Sequence, residues 1–206
     1  MDTAAHLDIY REAKHRLFRW PRELAVVQKV ALALGFACLT GLSAQLKVYL
    51  PWTPVPVSGQ TFAVLLGAVL LGRGWGGLSQ VFYVGLGVAG VPWFAGWGGG
   101  AAVLVGPTGG YLLGFIAAAF LVGHVVDGYA GARRLPGMVG LMLFASFAVI
   151  YGLGLAQLYL WSSVVQGDSV GFWTLLQMGA LPFLVGDLVK ALVASAAASA
   201  VVPKGG

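Results

Sequence analysis

Two charged residues three positions apart, Asp187 and Lys190, interrupt an otherwise uncharged apolar stretch running from Leu181 to Val202. On a helix that spacing puts both side chains on one face. At 1.5 Å per residue they lie roughly 9–14 Å in from the start of the stretch. A charge at such depth in a bilayer costs about 2.5–3.5 kcal/mol on insertion scales, so intramembrane charges as a rule face an interior cavity. Two readings stand. The pair is a mutual salt bridge that neutralises itself, or it is a polar clamp. In a clamp the carboxylate accepts from ligand N–H groups and the ammonium donates to a ligand carbonyl or carboxylate oxygen. Gln60 opens the second apolar span just beyond the loop that holds Pro54-Val55-Pro56-Val57, and its amide, which both donates and accepts, is expected to point into the same hollow. Gln45, Tyr83 and Tyr111 are weaker candidates, since a membrane tyrosine commonly serves packing or the interface.

Other chemistries fail on spacing. Gly85-x-Gly87-x-x-Gly90 matches a dinucleotide fingerprint on paper. It lies inside an apolar segment, follows no strand and has no acidic residue about 20 positions on. Gly106-Pro107-Thr108-Gly109-Gly110-Tyr111 shares only its glycines with a phosphate loop. No Gly-Lys-Ser/Thr run exists in the chain, so ATP hydrolysis by P-loop chemistry is excluded, and any energy input comes from a partner or an ion gradient. His6, His15 and His124 are far apart, and none stands at metal spacing with Cys, Asp or Glu. Cys38 is the single cysteine and cannot form an internal disulfide. The expectation is therefore a protein that is not an enzyme and holds no cofactor and no metal.

What must position the clamp is a set of membrane helices. Of 206 residues 59% are hydrophobic and 9% charged, against roughly 25% charged in a soluble domain, and mean hydropathy is +0.86. A soluble fold of this size cannot hide so much apolar surface. The apolar stretches predict six spans: Leu24–Ala44, Gln60–Leu71, Leu78–Val91, Tyr111–Val126, Gly137–Leu160 and Leu181–Val202. A polar break is expected from Trp161 to Phe172 and a tight turn at 73–77. The second and third spans are short and need longer neighbours. The Pro-rich loop at 50–56 and the Gly/Pro-rich loop at 92–110 fall on one side, as lids over a pocket, because irregular backbone at membrane depth is tolerated only when it lines a cavity or is buried in protein.

The net charge of +5 does not point to nucleic acid, because six of the twelve basic residues lie in the first 29 positions and no basic face with interleaved aromatics occurs. It reads instead as a topology signal. With both termini cytoplasmic, the inner segments hold the basic N-terminal region, Arg73, Arg133, Arg134 and Lys204, and the outer loops hold only Lys47. The fold class is accordingly an all-α integral membrane bundle. Residues 1–22 form a cytoplasmic or interfacial segment with an amphipathic surface helix over 7–20, and residues 23–203 the six-helix domain with an outward-facing pocket. Trp52, Trp93, Trp97, Trp161 and Trp173 cluster at the outer interface, more than anchoring needs, so some of the first three are candidates for the pocket wall. On the first span Ala33 and Ala37, and likewise Ala31 and Gly35, form small-xxx-small pairs, read either as internal packing or as a docking face for another membrane protein.

Three stretches, in this order, resemble the BioY family, the biotin-binding S-components of energy-coupling factor (ECF) transporters. They are Leu-Pro-x-x-Pro-Val-Pro-Val-x-x-Gln-Thr at 50–61, Gly-Val-Pro-x-Phe-Ala-Gly-x-Gly-Gly-Gly at 90–100 running into Gly-Pro-Thr-Gly-Gly-Tyr at 106–111, and Gly-Asp-Leu-x-Lys-Ala at 186–191. The resemblance covers roughly residues 24–202. It implies an S-component fold in a bacterial cell membrane and a ligand, biotin, whose ureido head is gripped by Asp187 and Lys190. Gln60 and the Gly-rich loop, with Trp93, Phe94, Trp97, Gly98, Gly99, Gly100 and then Tyr111, would enclose it, with Tyr83 beside them. It further implies a shared ECF transmembrane subunit, docked through Ala33 and Ala37, and two ATPase subunits, with homo-oligomerisation left open. Gly98 stands near where some relatives carry Asn, and Leu112 where they carry a basic residue. Backbone N–H groups of Gly98–Gly100, or Lys190, would then serve the ligand carboxylate. The alternatives are an S-component for another vitamin, a solitary facilitator or channel, and a scaffold without ligand.

Overall fold

The computed structural model describes residues 12, 15, 16 and 18–203. Much of the surface helix expected over residues 7–20 lies outside the described residues; residues 18–23 are helical. Four helices are long and apolar enough to cross a membrane: α1 (Val26–Gln45), α5 (Gly109–Gly128), α6 (Leu135–Val165) and α8 (Leu181–Val201). Between them lie the shorter α2 (Gln60–Leu71) and α3 (Trp75–Val88). Among the described residues from 26 on, a four-residue α4 (Ala102–Val105) and an eight-residue α7 (Phe172–Gly179) complete the helices, apart from a 3₁₀ turn at Ala130–Arg133.

α5 is the hub. It packs against α2, α3 and α6, and Ala118, Ala119 and Val122 on it are fully buried. Such close approach follows from small residues at the crossings. A Cβ built on Gly114 of α5 would stand 2.8 Å from the Ile150 Cα of α6, and one on Gly76 of α3 would stand 2.7 Å from the Ala68 Cα of α2. The second contact also explains why α3 begins at Trp75, three residues earlier than hydropathy indicates: Gly76 and Gly77 serve helix contact, and the turn is confined to Gly72–Gly74. Gly72 and Gly74 there have φ of 74° and 84°, a region open to glycine at little cost.

The expected polar break at 161–172 is shorter than hydropathy indicates. α6 continues through Trp161–Val165 as a π segment, having already passed through another at Ala145–Ile150. It stops at Gly167, whose φ is 75°, the left-handed residue that commonly ends helices. α7 then begins at the last residue of the expected break and fills the stretch before α8, burying Leu175 and Gly179 and exposing Phe172 and Trp173. The Pro-rich loop is a small hairpin, with β1 (Lys47–Val48) antiparallel to β2 (Val57–Ser58) and Lys47 opposite Ser58.

At the far end of α5 from its Tyr111, Asp127 joins three segments. It pairs with Arg22 and accepts the Arg73 backbone N–H at 2.6 Å. Arg133 donates to the Val126 and Asp127 carbonyls at 2.8 and 2.9 Å. The Arg22 guanidinium also lies over the Phe18 ring.

Candidate functional site

α2, α5, α6 and α8 converge on a cavity of about 420 Å³, inside the range of about 300–1,000 Å³ usual for small-molecule sites. Its roof comes from the hairpin and from the Gly-rich loop with α4. Its walls carry Gln60, Tyr111, Phe115, Tyr151 and Phe183, and Asp187 and Lys190 line it from α8. The lining is thus aromatic and apolar with few polar groups, the composition of a site that holds a small organic molecule and fixes its orientation.

The polar end is built from three elements. Lys190 Nζ donates to Asp187 Oδ1 at 2.6 Å and to the Ser58 carbonyl of β2 at 2.6 Å. The Tyr151 hydroxyl of α6 donates to Asp187 Oδ2 at 2.7 Å. Asp187 is only 4% exposed, a burial tolerated because both oxygens are satisfied and the charge is paired. The two readings of the pair therefore coincide: it is an ion pair, and it lines a cavity. Capacity is left over. The ammonium has three N–H groups and uses two; the carboxylate offers about four acceptor positions and uses two. Those free positions suit a ligand with N–H donors beside a carbonyl oxygen.

Gln60 lines the cavity, yet its amide is already engaged, donating to the Tyr83 hydroxyl at 2.7 Å and accepting from Ser58 Oγ at 2.9 Å. Tyr83 is fully buried and stands behind Gln60, outside the cavity lining. Trp93 also stands outside it; its indole N–H donates to the Tyr83 carbonyl at 2.9 Å. Trp97 is 65% exposed and adopts φ 59°. Of the Gly-rich loop, Phe94 and Gly98 reach the cavity, whereas Gly99 and Gly100 do not; Gly100 donates its N–H to the Gly87 carbonyl at 2.7 Å. Tyr111 lines the cavity, and its hydroxyl is spent on the Gly179 carbonyl at 2.6 Å. Ala33 and Ala37 are fully buried within the chain. In this conformation they pack internally and present no outward docking face; Ala31 and Gly35 on the same helix are exposed.

The loops are tied down by Gln45, a weaker candidate in the sequence, and by Thr53 and Gln157, which spacing did not mark. Gln45 Nε2 donates to the Trp93 and Phe94 carbonyls at 3.2 and 3.1 Å while its Oε1 accepts the Trp97 N–H at 3.2 Å. One amide thereby fixes both strands of the narrow turn closed by Phe94 and Gly98. Thr53 Oγ1 anchors the hairpin to the Met178 carbonyl of α7 at 2.5 Å. Gln157 of α6 donates to the Leu104 carbonyl at 3.3 Å. The chief omission from sequence reasoning is Tyr151. It sits just after the π segment Ala145–Ile150, a distortion frequent at functional sites that leaves no mark in hydropathy.

A family model described as the BioY family matches residues 13–205. A protein of Methanothermobacter thermautotrophicus named "Probable biotin transporter BioY" is 55% identical over 139 residues, 68% of this chain and 88% of that relative. A "Biotin transporter BioY" of Thermotoga maritima is 39% identical over 151 residues, 72% of this chain and 81% of that protein. Among solved structures, the crystal structure of the S-component for biotin from an ECF-type ABC transporter superposes with a TM-score of 0.73, covering 85% of this chain and 93% of that one at 22% identity. At that identity the likeness is one of fold.

Proposed function

The chain belongs to the BioY family, and on that footing we propose that it captures biotin, as the substrate-binding S-component of an ECF transporter. The observation that carries this is the Asp187–Lys190–Tyr151 cluster at the end of an aromatic-lined cavity of about 420 Å³. The ureido group of biotin presents two N–H donors flanking one carbonyl oxygen. The unused acceptor positions of Asp187 take the N–H groups, and the third N–H of Lys190 takes the carbonyl. Phe115, Tyr111 and Phe183 then cover the apolar ring system, and Phe94 with Gly98 closes over the remainder.

The protein is a multi-pass membrane protein. The finer topology belongs to the same proposal: α1, α2, α3, α5, α6 and α8 make six crossings, with both termini on the cytoplasmic side and the cavity open to the outside. Basic residues support it, since Arg22, Arg73, Arg133 and Arg134 gather around the Asp127 end of α5 while the cavity lies at the Tyr111 end. Energy would come from a transmembrane subunit and two ATPases, because the sequence has no nucleotide-binding loop. With Ala33 and Ala37 buried, docking on α1 falls to the exposed pair Ala31 and Gly35.

Isothermal titration of the detergent-purified chain tests the ligand. Saturable heat is expected with biotin at micromolar concentration and none with other water-soluble vitamins. Folded protein that gives no heat with biotin removes the proposal, and heat with a different vitamin reassigns the ligand.

A further inference from the structure

Among the described residues Lys190 is the one cation lining the cavity, and Asp187 neutralises it. Leu112 and Gly98, which also line the cavity, offer no side-chain donor. Backbone N–H groups aside, a ligand carboxylate finds no unneutralised cation in this lining, and a second positive group beside it would favour the anion. The hairpin register places one nearby. Lys47 of β1 pairs with Ser58 of β2, an antiparallel pairing that keeps Cα atoms about 5 Å apart, and Ser58 is the residue whose carbonyl Lys190 holds. The two lysines thus flank one residue of the roof.

Lys47 does not point idly outward. Its Nζ donates to the Tyr49 hydroxyl at 3.2 Å and lies 4.8 Å from that ring's centroid, and Tyr49 lines the cavity. Both polar tips rest against the Gly-rich loop: a Cβ built on Gly96 would stand 2.6 Å from Lys47 Nζ and 2.9 Å from the Tyr49 oxygen. Glycine at 96, with φ 82°, is what admits them. No salt bridge to Lys47 occurs among the described residues. Two of its N–H groups remain free, and so does the Tyr49 O–H proton.

Resting on the biotin reading above, we infer that Lys47 and the Tyr49 hydroxyl receive the anionic tail of the ligand at the loop end of the cavity. The site then selects a molecule with a neutral hydrogen-bonding head and a carboxylate at the other end. Charge in the protein is divided accordingly, with a neutralised pair for the head and an unneutralised lysine for the tail. Because Lys47 and Tyr49 are partly exposed, the attraction is screened by solvent and weakens with salt.

The test compares biotin with biotin amide, which keeps the head and chain but carries no charge, in titrations of the wild-type chain and of Lys47→Met and Lys47→Arg. The wild type is expected to prefer the acid by about three- to tenfold at low ionic strength. Lys47→Met abolishes that preference by weakening acid binding alone, and Lys47→Arg retains it. Unchanged amide binding by Lys47→Met certifies that the site is folded. A wild-type chain that binds acid and amide equally, or a Lys47→Met chain that keeps the wild-type ratio, overturns this inference and leaves the biotin reading intact. A wild-type chain that binds neither removes both.

Discussion

Replacing Asp187 by Asn changes one atom and the charge while keeping the shape. In the native site the carboxylate accepts from Lys190 at 2.6 Å and from Tyr151 at 2.7 Å and is 4% exposed. The substituted amide has a single acceptor oxygen, so one of those two donors must face an N–H group, and the Lys190 ammonium loses its counter-charge. Breaking a fully buried pair this way costs about 3–5 kcal/mol of stability; the 20% exposure of the Lys190 side chain puts the expected cost at the lower end. Ligand binding loses at least one charge-assisted hydrogen bond, about 1.5–3 kcal/mol, which is a rise in Kd of about tenfold or more. Titration with biotin reads the second quantity, and thermal unfolding in the same detergent reads the first. An Asp187→Asn protein that unfolds near the wild-type temperature and binds biotin with wild-type Kd would refute the assignment of the clamp.

Three further outcomes follow from the same geometry. Tyr151→Phe keeps the ion pair but strips one donor from Asp187 Oδ2, so biotin Kd should rise several-fold, for about 1 kcal/mol, in the same titration. Gly87→Ala would set a Cβ 2.2 Å from the Phe94 ring, and overpacking of that kind costs about 1–3 kcal/mol, visible as a lower Tm. Asp127→Asn unties Arg22 and weakens the hold on the Arg73 N–H at the other end of α5. It should lower Tm through a loss of about 1–2 kcal/mol, moderated because the pair is part-exposed, while biotin Kd stays within twofold.

Hydropathy and charge spacing carried much of the framework. α2 begins and ends where the apolar run does, because a Pro-rich loop precedes it and Gly72 follows it. Asp187 and Lys190 stood out because their surroundings are uncharged. Other features were hidden for physical reasons. A helix that is apolar all round shows no polar stripe, so nothing in α1 reveals that Ala33 and Ala37 face inward while Ala31 and Gly35 face out. The π segment Ala145–Ile150 of α6 packs against α5, a long-range contact that residue type does not announce. α7 was missed because it is short and follows directly on a stretch rich in Ser, Gly and Asp, although its Phe172, Leu175, Leu176 and Gly179 follow helical spacing. The role of Gln45 needs the Gly-rich loop folded back upon α1, which no local pattern encodes.

The unequal lengths of the helices shape the surrounding lipid. α3 has 14 residues, about 21 Å, whereas the hydrocarbon layer is about 30 Å thick, and tilting only shortens its reach. α3 also shows Val81 and Leu86 to the outside. α6, with 31 residues, about 46 Å, overshoots the same layer. With α3 among the crossings, as proposed above, acyl chains would compress along one flank of the molecule and stretch or tilt along another, at fractions of a kcal/mol per ångström. On that topology the bilayer around a single copy would be a wedge, and a neighbour covering the pinched flank would be drawn there by relief of elastic stress, before a specific contact is made.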